Sequence, residues 1–421
     1  MIRNQFPILV WLTVLSLSIS LQGKPAEKEG LTLEQCIQVA LRQNPLILSS
    51  LKQYQASIAR ISQAKEFAQP SLDYDSDLQP KFFNFKNSGE SYLGLSQSIE
   101  FPGKRTLRGK IARHESDEIK QEINLLKLDI AFQVKQAFYG FLLVQEKLKY
   151  AQENSELAQD FLEKAQLKYD AGDAAKVEVL RAQVEASQAA NQVRSATNEV
   201  RLARAMLNYL LARKKYSPLE IIGELKRPFI SLDFEELKKR ALSFRPEIKR
   251  IEFSLKRENL KKKQGYLSYL PDLDLGVSRH RIGGEPTTWD VTLSFPIPLF
   301  FWQPKKGEIA EAQANAESLN SEEVHLKNTI SLEVEEAYMN ALTAANQIRL
   351  FEDEILAQAE EVYNMFLFSY QEGEISSIEL IDARRTLIEA RKSYADSLFN
   401  YDVALADLEK SIGQEFEGGD Q

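Results

Sequence analysis

Two stretches of this chain, YDAGDAAKVEVLRAQ from Tyr169 and YQEGEISSIELIDAR from Tyr370, say nearly the same thing 201 residues apart. Solenoid units recur every ~20–50 residues, so a period this long copies a whole half-protein. The shift holds elsewhere: LTLEQCIQVALRQNP (31–45) aligns with LDFEELKKRALSFRP (232–246), and Pro70-Ser71-Leu72-Asp73 with Pro271-Asp272-Leu273-Asp274. LSQSIEFP (95–102) aligns with LSFPIPLF (293–300) at a shift of 198, so the second copy has lost three residues there. Whatever fold forms must be built twice.

The first copy, 31–213, reads as a helix, strands at about 71–79 and 91–101, a long helix at about 106–168 and a returning helix at about 176–212. The second, 232–413, reads the same way, with strands at about 272–281 and 287–296, a long helix at about 305–370 and a return at about 376–412. Residues 214–231 link them through one short strand, and 414–421 form a tail. Neither long helix contains proline, and at 1.5 Å per residue each reaches on the order of 95–100 Å.

The helices carry seams at spacings of three and four. In the first return helix these are Val179, Ala182, Ala186, Ala189, Val193, Ala196, Val200, Ala203, Leu207 and Leu210; the first long helix repeats them from Val134 to Tyr169. This is coiled-coil patterning, and its alanines allow close backbone approach. Each half is therefore a helical hairpin. Its tip is the turn after Tyr169 or Tyr370, where Gly172 or Gly373 suits a left-handed helix end. As the exposed loops at the far end of the rods, the tips (Tyr169, Asp170, Gly172, Asp173, and Tyr370, Glu372, Gly373, Glu374) are the expected docking points for a partner.

The strands alternate. Leu72 and Tyr74 lie opposite Asp73, Asp75 and Asp77; Leu273, Leu275 and Val277 lie opposite Asp272, Asp274 and Gly276; Trp289, Val291, Leu293 and Phe295 lie opposite Asp290, Thr292 and Ser294. Period two fits any half-buried strand, but no helix is left to cover these apolar faces. Apolar outside and polar inside is the pattern of a membrane β-barrel. Four strands are too few, since single-chain barrels start at about eight, and lipid tolerates no open edge. The strands must be donated to a shared barrel. Where rods meet strands, prolines, aromatics and basic residues cluster: Pro70, Phe101, Pro102, Lys104, Arg105, Pro271, Pro298, Trp302, Lys305 and Lys306. Aromatic and basic residues favour a membrane interface with anionic headgroups. The cations also sit at helix N-termini, where the helix dipole disfavours them, so a reason outside the helix is needed.

Composition removes other classes. A formal charge of −8 and a pI near 5.4 lack the basic footprint of a nucleic-acid binder. One cysteine, Cys36, and three scattered histidines, His114, His280 and His325, form no disulfide or zinc spacing. No nucleophile elbow or P-loop is present, so the reading is of no enzyme, no cofactor and no resident metal. The start, MIRNQFPILVWLTVLSLSISLQGKP, has a basic end and a short apolar run, which reads as a signal peptide over 1–23. Cys36 lies within LEQCIQVAL rather than directly after that run, so no lipid anchor is expected.

The duplicated hairpin tips and the SQSIEFPGKR switch closely resemble the TolC-like outer-membrane efflux proteins, from Leu31 to Gly413. FPGKR and PIPLFFWQPKKGEIAEA look most like the CzcC/CusC-type members that serve heavy-metal pumps. The resemblance implies a mainly α fold with a small β part. Three copies would form one twelve-stranded outer-membrane barrel and a periplasmic tunnel of twelve helices. It implies a homotrimeric exit duct for an inner-membrane pump of the resistance-nodulation-division type, joined by a periplasmic adaptor. Counted from the tip tyrosine, Glu379 and Asp382 match the two acidic positions that ring the periplasmic entrance in this family. Ile375 stands where TolC itself has the arginine that latches the closed state. Drug efflux and type I protein secretion stay open as cargo classes, Glu379 and Asp382 could be ordinary solvated acids, and a periplasmic coiled-coil scaffold is the reading from another class.

Overall fold

The computed structural model describes residues 30–77, 89–214, 217–225, 233–297, 299 and 305–416. The expected signal peptide, Pro298 and Trp302 lie outside them.

Each repeat begins with two helices where the sequence suggested one. They are α1 (Leu33–Gln43) and α2 (Pro45–Ala64) in the first copy. The second has α5 (Phe234–Phe244) and α6 (Pro246–Leu267). Proline excludes the helical conformation from the residue before it, and both Asn44 and Arg245 accordingly sit at ψ 124°. Asn44 then caps α2 by accepting from the Leu46 amide at 2.9 Å. Both joint residues also reach the end of a returning helix: Asn44 donates to the Leu210 carbonyl at 3.5 Å and Arg245 to the Ser411 carbonyl at 3.2 Å. The two pairs occupy the same place in each copy.

Strands β1 (Ser71–Asp77), β2 (Glu90–Ile99), β3 (Leu273–Ile282) and β4 (Thr288–Ser294) make one antiparallel sheet in that order. The central pairing is between copies, with Leu95 opposite Val277 and Tyr92 opposite His280. Among the described residues the outer edges of β1 and β4 pair with no other strand.

From the sheet the rods run away. Helix α3 (Lys104–Ala171) has 68 residues, about 100 Å at 1.5 Å per residue. Its counterpart is α7 (Lys305–Leu350), a π-type turn (Phe351–Ile355) and α8 (Leu356–Gln371). Returning helices α4 (Lys176–Leu210) and α9 (Ser377–Ile412) lie along them. The seam residues fill the interior: Ala182, Ala189, Ala196, Val200, Leu207 and Leu210 of α4 are buried, as are Leu380, Leu387, Tyr394, Tyr401 and Leu408 of α9. Tyr169, which ends the α3 seam, is instead 39% exposed, while its copy Tyr370 is 7% exposed. Among the described residues of the link between copies, Ile221 forms a parallel bridge with Leu31.

Glycines 172, 373 and 413 take positive φ of 87°, 80° and 74° where helices end. At both tips the bonds are those of a Schellman turn: Asp173 to Lys168 and Gly172 to Tyr169, then Glu374 to Ser369 and Gly373 to Tyr370. The copy of Gly413 is Ala212, at φ 53° and with matching bonds from Arg213 to Asn208 and from Ala212 to Tyr209. A left-handed backbone costs a residue with a Cβ about 1 kcal/mol or more. Ala212→Gly should therefore stabilise the detergent-solubilised protein by about 1 kcal/mol, read as a higher thermal midpoint of the helical circular-dichroism signal. A lower midpoint would show that the strain is absorbed elsewhere.

Candidate functional site

The sheet has two unlike faces. Asp73, Asp75, Asp77, Glu90, Asp274 and Asp290 share one with serines, threonines and glycines, because successive side chains alternate and directly paired residues point the same way. Part of that face is a shallow hollow lined by Asp73, Asp75, Asp274 and Ser96. The other face carries Leu72, Trp289, Val291 and Leu293, exposed by 70%, 70%, 78% and 60%. A bare apolar face of this kind marks contact with lipid or protein. Among the described residues no helix is long and apolar enough to cross a membrane.

Where rods meet strands, one of the expected cations needs no outside partner. Lys104, at the first position of α3, has an internal one: its Nζ lies 2.8 Å from Asp272 Oδ1 and donates to the Leu270 carbonyl at 2.7 Å. The same carboxylate oxygen accepts from the Phe101 amide at 2.7 Å. Burial works to raise the Asp272 pKa, but these bonds and the charges of Lys104 and Arg108 outweigh it and hold the carboxyl below its ordinary range. Arg105 lies over the Phe67 ring, 3.6 Å from its centroid. Pro70 directly precedes β1, Pro271 stands two residues before β3, and Pro102 sits between β2 and α3, each at a point where extended and helical backbone change over. Helix α7 begins at Lys305, with Lys306 exposed beside it.

At the far end, Asp170, Gly172 and Asp173 are exposed in one turn and Glu372, Gly373 and Glu374 in the other. Behind them Phe161, Ala165, Ala182, Tyr370 and Leu380 form an apolar cluster that joins the two repeats and takes in Ile375. The Tyr370 ring rests 5.5 Å from that of Phe161 and under Lys168 Nζ at 4.5 Å. Its hydroxyl has no hydrogen-bond partner among the described residues. Burial first, and the Glu178 carboxylate second, push its pKa up.

Glu379 and Asp382 are exposed and three residues apart on the first turns of α9, hence on one side of it. Glu379 also has a local task that the sequence reading gave to no residue. Its Oε2 accepts from the Ser376 amide at 2.8 Å and from the Ser376 hydroxyl at 2.9 Å, as half of a capping box. The S-x-x-E spacing of Ser376 and Glu379 was the available signal. Further along, Glu185 of α4 bridges to α9, 3.0 Å from Arg385 Nη2 and 3.8 Å from Arg384 Nη2. Arg384 is 7% exposed; burial lowers its pKa, with Glu185 acting against that. No local pattern announces this pair.

An acid-lined face and an apolar face on one sheet, carried at the end of paired rods built twice, match a known architecture. The family model described as outer membrane efflux protein matches residues 36–213 and again 237–414. The chain belongs to the outer membrane efflux protein family. It is similar to the cobalt-zinc-cadmium resistance protein CzcC of Cupriavidus metallidurans, 25% identical over 93% of this chain and 92% of that one. Outer membrane protein TolC of Escherichia coli is 22% identical over 98% of this chain and 86% of its own. Among solved structures, the CmeC outer membrane channel of Campylobacter jejuni superposes with a TM-score of 0.76 at 16% identity, covering 100% of this chain and 95% of that one. As a member of this family, the protein belongs to the outer membrane and extends into the periplasm.

The Asp272 pairing gives a pH test for this outer membrane efflux protein. Because its folded pKa lies below the ordinary carboxylate value of 3.8, its stabilisation is present above that pH and is lost as pH falls through the folded pKa. Asp272→Asn should lower the thermal midpoint at pH 7, and the gap to wild type should close as the pH drops below about 3.8. A gap that persists in acid would mean that Asp272 acts through shape rather than charge.

Proposed function

We propose that this chain is the exit duct of a tripartite efflux system, a homotrimer that passes divalent metal cations delivered by an inner-membrane pump through a periplasmic adaptor. The observation that carries the reading is the acid-rich face of a sheet whose other face is bare and apolar. Rolled up with two further copies, such a sheet closes as twelve strands. It then turns its apolar face to lipid and lines the pore with Asp73, Asp75, Asp274 and Asp290. Trp289, paired with Arg279 at the end of the sheet away from the rods, supports an outer membrane boundary there, since aromatic and basic side chains favour headgroups. Similarity to a protein named for cobalt, zinc and cadmium resistance favours metal cargo over drugs or secreted protein. A pump of the resistance-nodulation-division type is the partner implied by the family resemblance, and the tips around Gly172 and Gly373 are the surface we assign to the adaptor.

The entrance lies at those tips. Three copies of Glu379 and Asp382 would place six carboxylates around one axis, and carboxylate rings favour cations. With Ile375 in the apolar cluster, the closed state is held by other means: the buried Tyr370 and the ion pairs of Glu185 with Arg384 and Arg385 tie the first repeat to the second.

Planar-bilayer recordings test both statements. Reversal potentials in a salt gradient should show cation preference. Trivalent cation complexes added from the periplasmic side should block, because closely placed like charges bind cations to relieve their repulsion. Glu379→Ala with Asp382→Ala should remove the block and keep the pore; equal block in both proteins would make these acids solvated bystanders. Glu185→Gln should raise the open fraction several-fold. Unchanged gating would place the latch elsewhere.

A further inference from the structure

The apolar face of the sheet does not stay apolar to its far end. Successive side chains alternate and directly paired residues point the same way, so the pairing gives this face row by row. Nearest the rods, Ile99 pairs with Leu273. Further out, Leu72, Leu95, Val277 and Val291 make a row. Beyond it lie Tyr74, Leu93, Arg279 and Trp289, and then Ser91 with Arg281. Arg279 and Arg281 of β3 are the only charged side chains that the four strands place on this face, since the strand carboxylates all lie on the other. Both arginines are exposed. Among the described residues neither guanidinium has an ion-pair or hydrogen-bond partner, although Glu285 stands in the turn just beyond β3. Arginine is always charged, so two unpaired guanidiniums on a face made for hydrocarbon call for an anion outside the chain.

Their height says where that anion lies. A barrel strand tilted by ~40° rises about 2.6 Å per residue along the membrane normal. Arg279 then stands roughly 16 Å, and Arg281 roughly 21 Å, above the Leu273 row, in an apolar band about 25 Å tall. Long arginine side chains reach from there to the headgroups. A lipid-facing arginine is costly at mid-bilayer and nearly free at that level. Trp289, 70% exposed and directly opposite Arg279, suits the same boundary. The rods extend into the periplasm, so the leaflet at this end is the outer one, whose characteristic lipid in an outer membrane is a phosphorylated glycolipid. Guanidinium forks match phosphate oxygens in bidentate pairs, and two same-face neighbours on one strand stand only about 7 Å apart.

We propose that Arg279 and Arg281, with Trp289 beside them, bind a phosphate group of the outer-leaflet glycolipid, one lipid per chain. Such a lipid fixes the height of the sheet in the membrane and lies against its outer wall. The site rests on the reading above in which the sheet turns its apolar face to lipid.

The test uses the full-length protein in mild detergent, titrated with bisphosphorylated lipid A and followed by native mass spectrometry, which counts bound lipids. Parallel titrations use lipid A stripped of its phosphates, phosphatidylglycerol and inorganic phosphate. Wild type should hold one lipid A per chain, bind the stripped lipid at least tenfold more weakly, and lose little lipid A to inorganic phosphate. Arg279→Gln with Arg281→Gln should weaken lipid A binding at least tenfold, while Lys306→Gln at the start of α7 should leave it unchanged. Should the double variant fail to insert, Arg279→Lys with Arg281→Lys, which keeps both charges but not the forked donors, should still bind several-fold more weakly. Equal binding of lipid A by wild type and the glutamine variant would overturn the site. Phosphatidylglycerol bound as tightly as lipid A would overturn the choice of glycolipid. Bilayer recordings separate this proposal from the reading beneath it. The glutamine variant should conduct with wild-type cation preference, because these side chains face lipid. Altered selectivity would put the arginines in the pore and overturn the sheet's orientation; unaltered selectivity with unchanged lipid binding would sink the lipid site alone.

Discussion

A strand in lipid must pair every backbone amide and carbonyl, because hydrocarbon offers no replacement partner. The rest of this molecule depends on that requirement. Its sheet has four strands, an exposed apolar face and two edges that no described strand covers. Within a membrane one chain cannot satisfy those edges. The closed barrel proposed here follows from that deficit, and the duplication explains how the deficit stays small. Each copy contributes one hairpin, and the join between copies, β2 with β3, is as regular as the pairs within them.

The rods answer a different constraint. A helix of 68 residues exposes too much surface to stand alone, so its seam must be covered along its whole length. Small residues at the seam do this at close range, with Ala151, Ala158 and Ala165 of α3 and Ala182, Ala189 and Ala196 of α4 all buried. Other apolar positions stay exposed within one chain, among them Leu202, Met206 and Tyr209 along α4 and Leu332, Met339 and Leu342 along α7. They recur at helical spacing, as faces do when they await a neighbouring helix. Sheet edges and helix faces thus both support the homotrimer proposed above. Acids line one sheet face and the tips, while pairs such as Lys104 with Asp272 and Lys147 with Asp396 bind the elements together.

How much of this was legible in the sequence depends on the range of each interaction. Heptad seams, strand alternation and the glycine tips are local and periodic, and the residues they single out are largely the ones found buried, paired or left-handed. The split of the leading helix at Asn44 and Arg245 was also local, written in the prolines that follow them, but the amphipathic pattern on either side masked it. Tyr169 shows the limit of copying. It occupies the position of Tyr370, yet the second repeat turns its tyrosine into the tip cluster and the first leaves its own exposed. Contacts that span the repeats left no trace that one sequence could reveal: Glu185 with Arg385 across 200 residues, His280 with Glu90 across 190, and Lys104 with Asp272 across 168. Such pairs join residues far apart in the chain, which is why the fold was easier to read than the site.

The account stands on edge strands that other copies must complete. Native mass spectrometry of the protein extracted from outer membranes in mild detergent tests this directly, because it counts chains in an intact particle. A mass of three chains, with trypsin-resistant β1 and β4, is the predicted result. A folded, detergent-stable single chain with intact strands would contradict it, since one copy would then have found another way to cover both edges of its sheet.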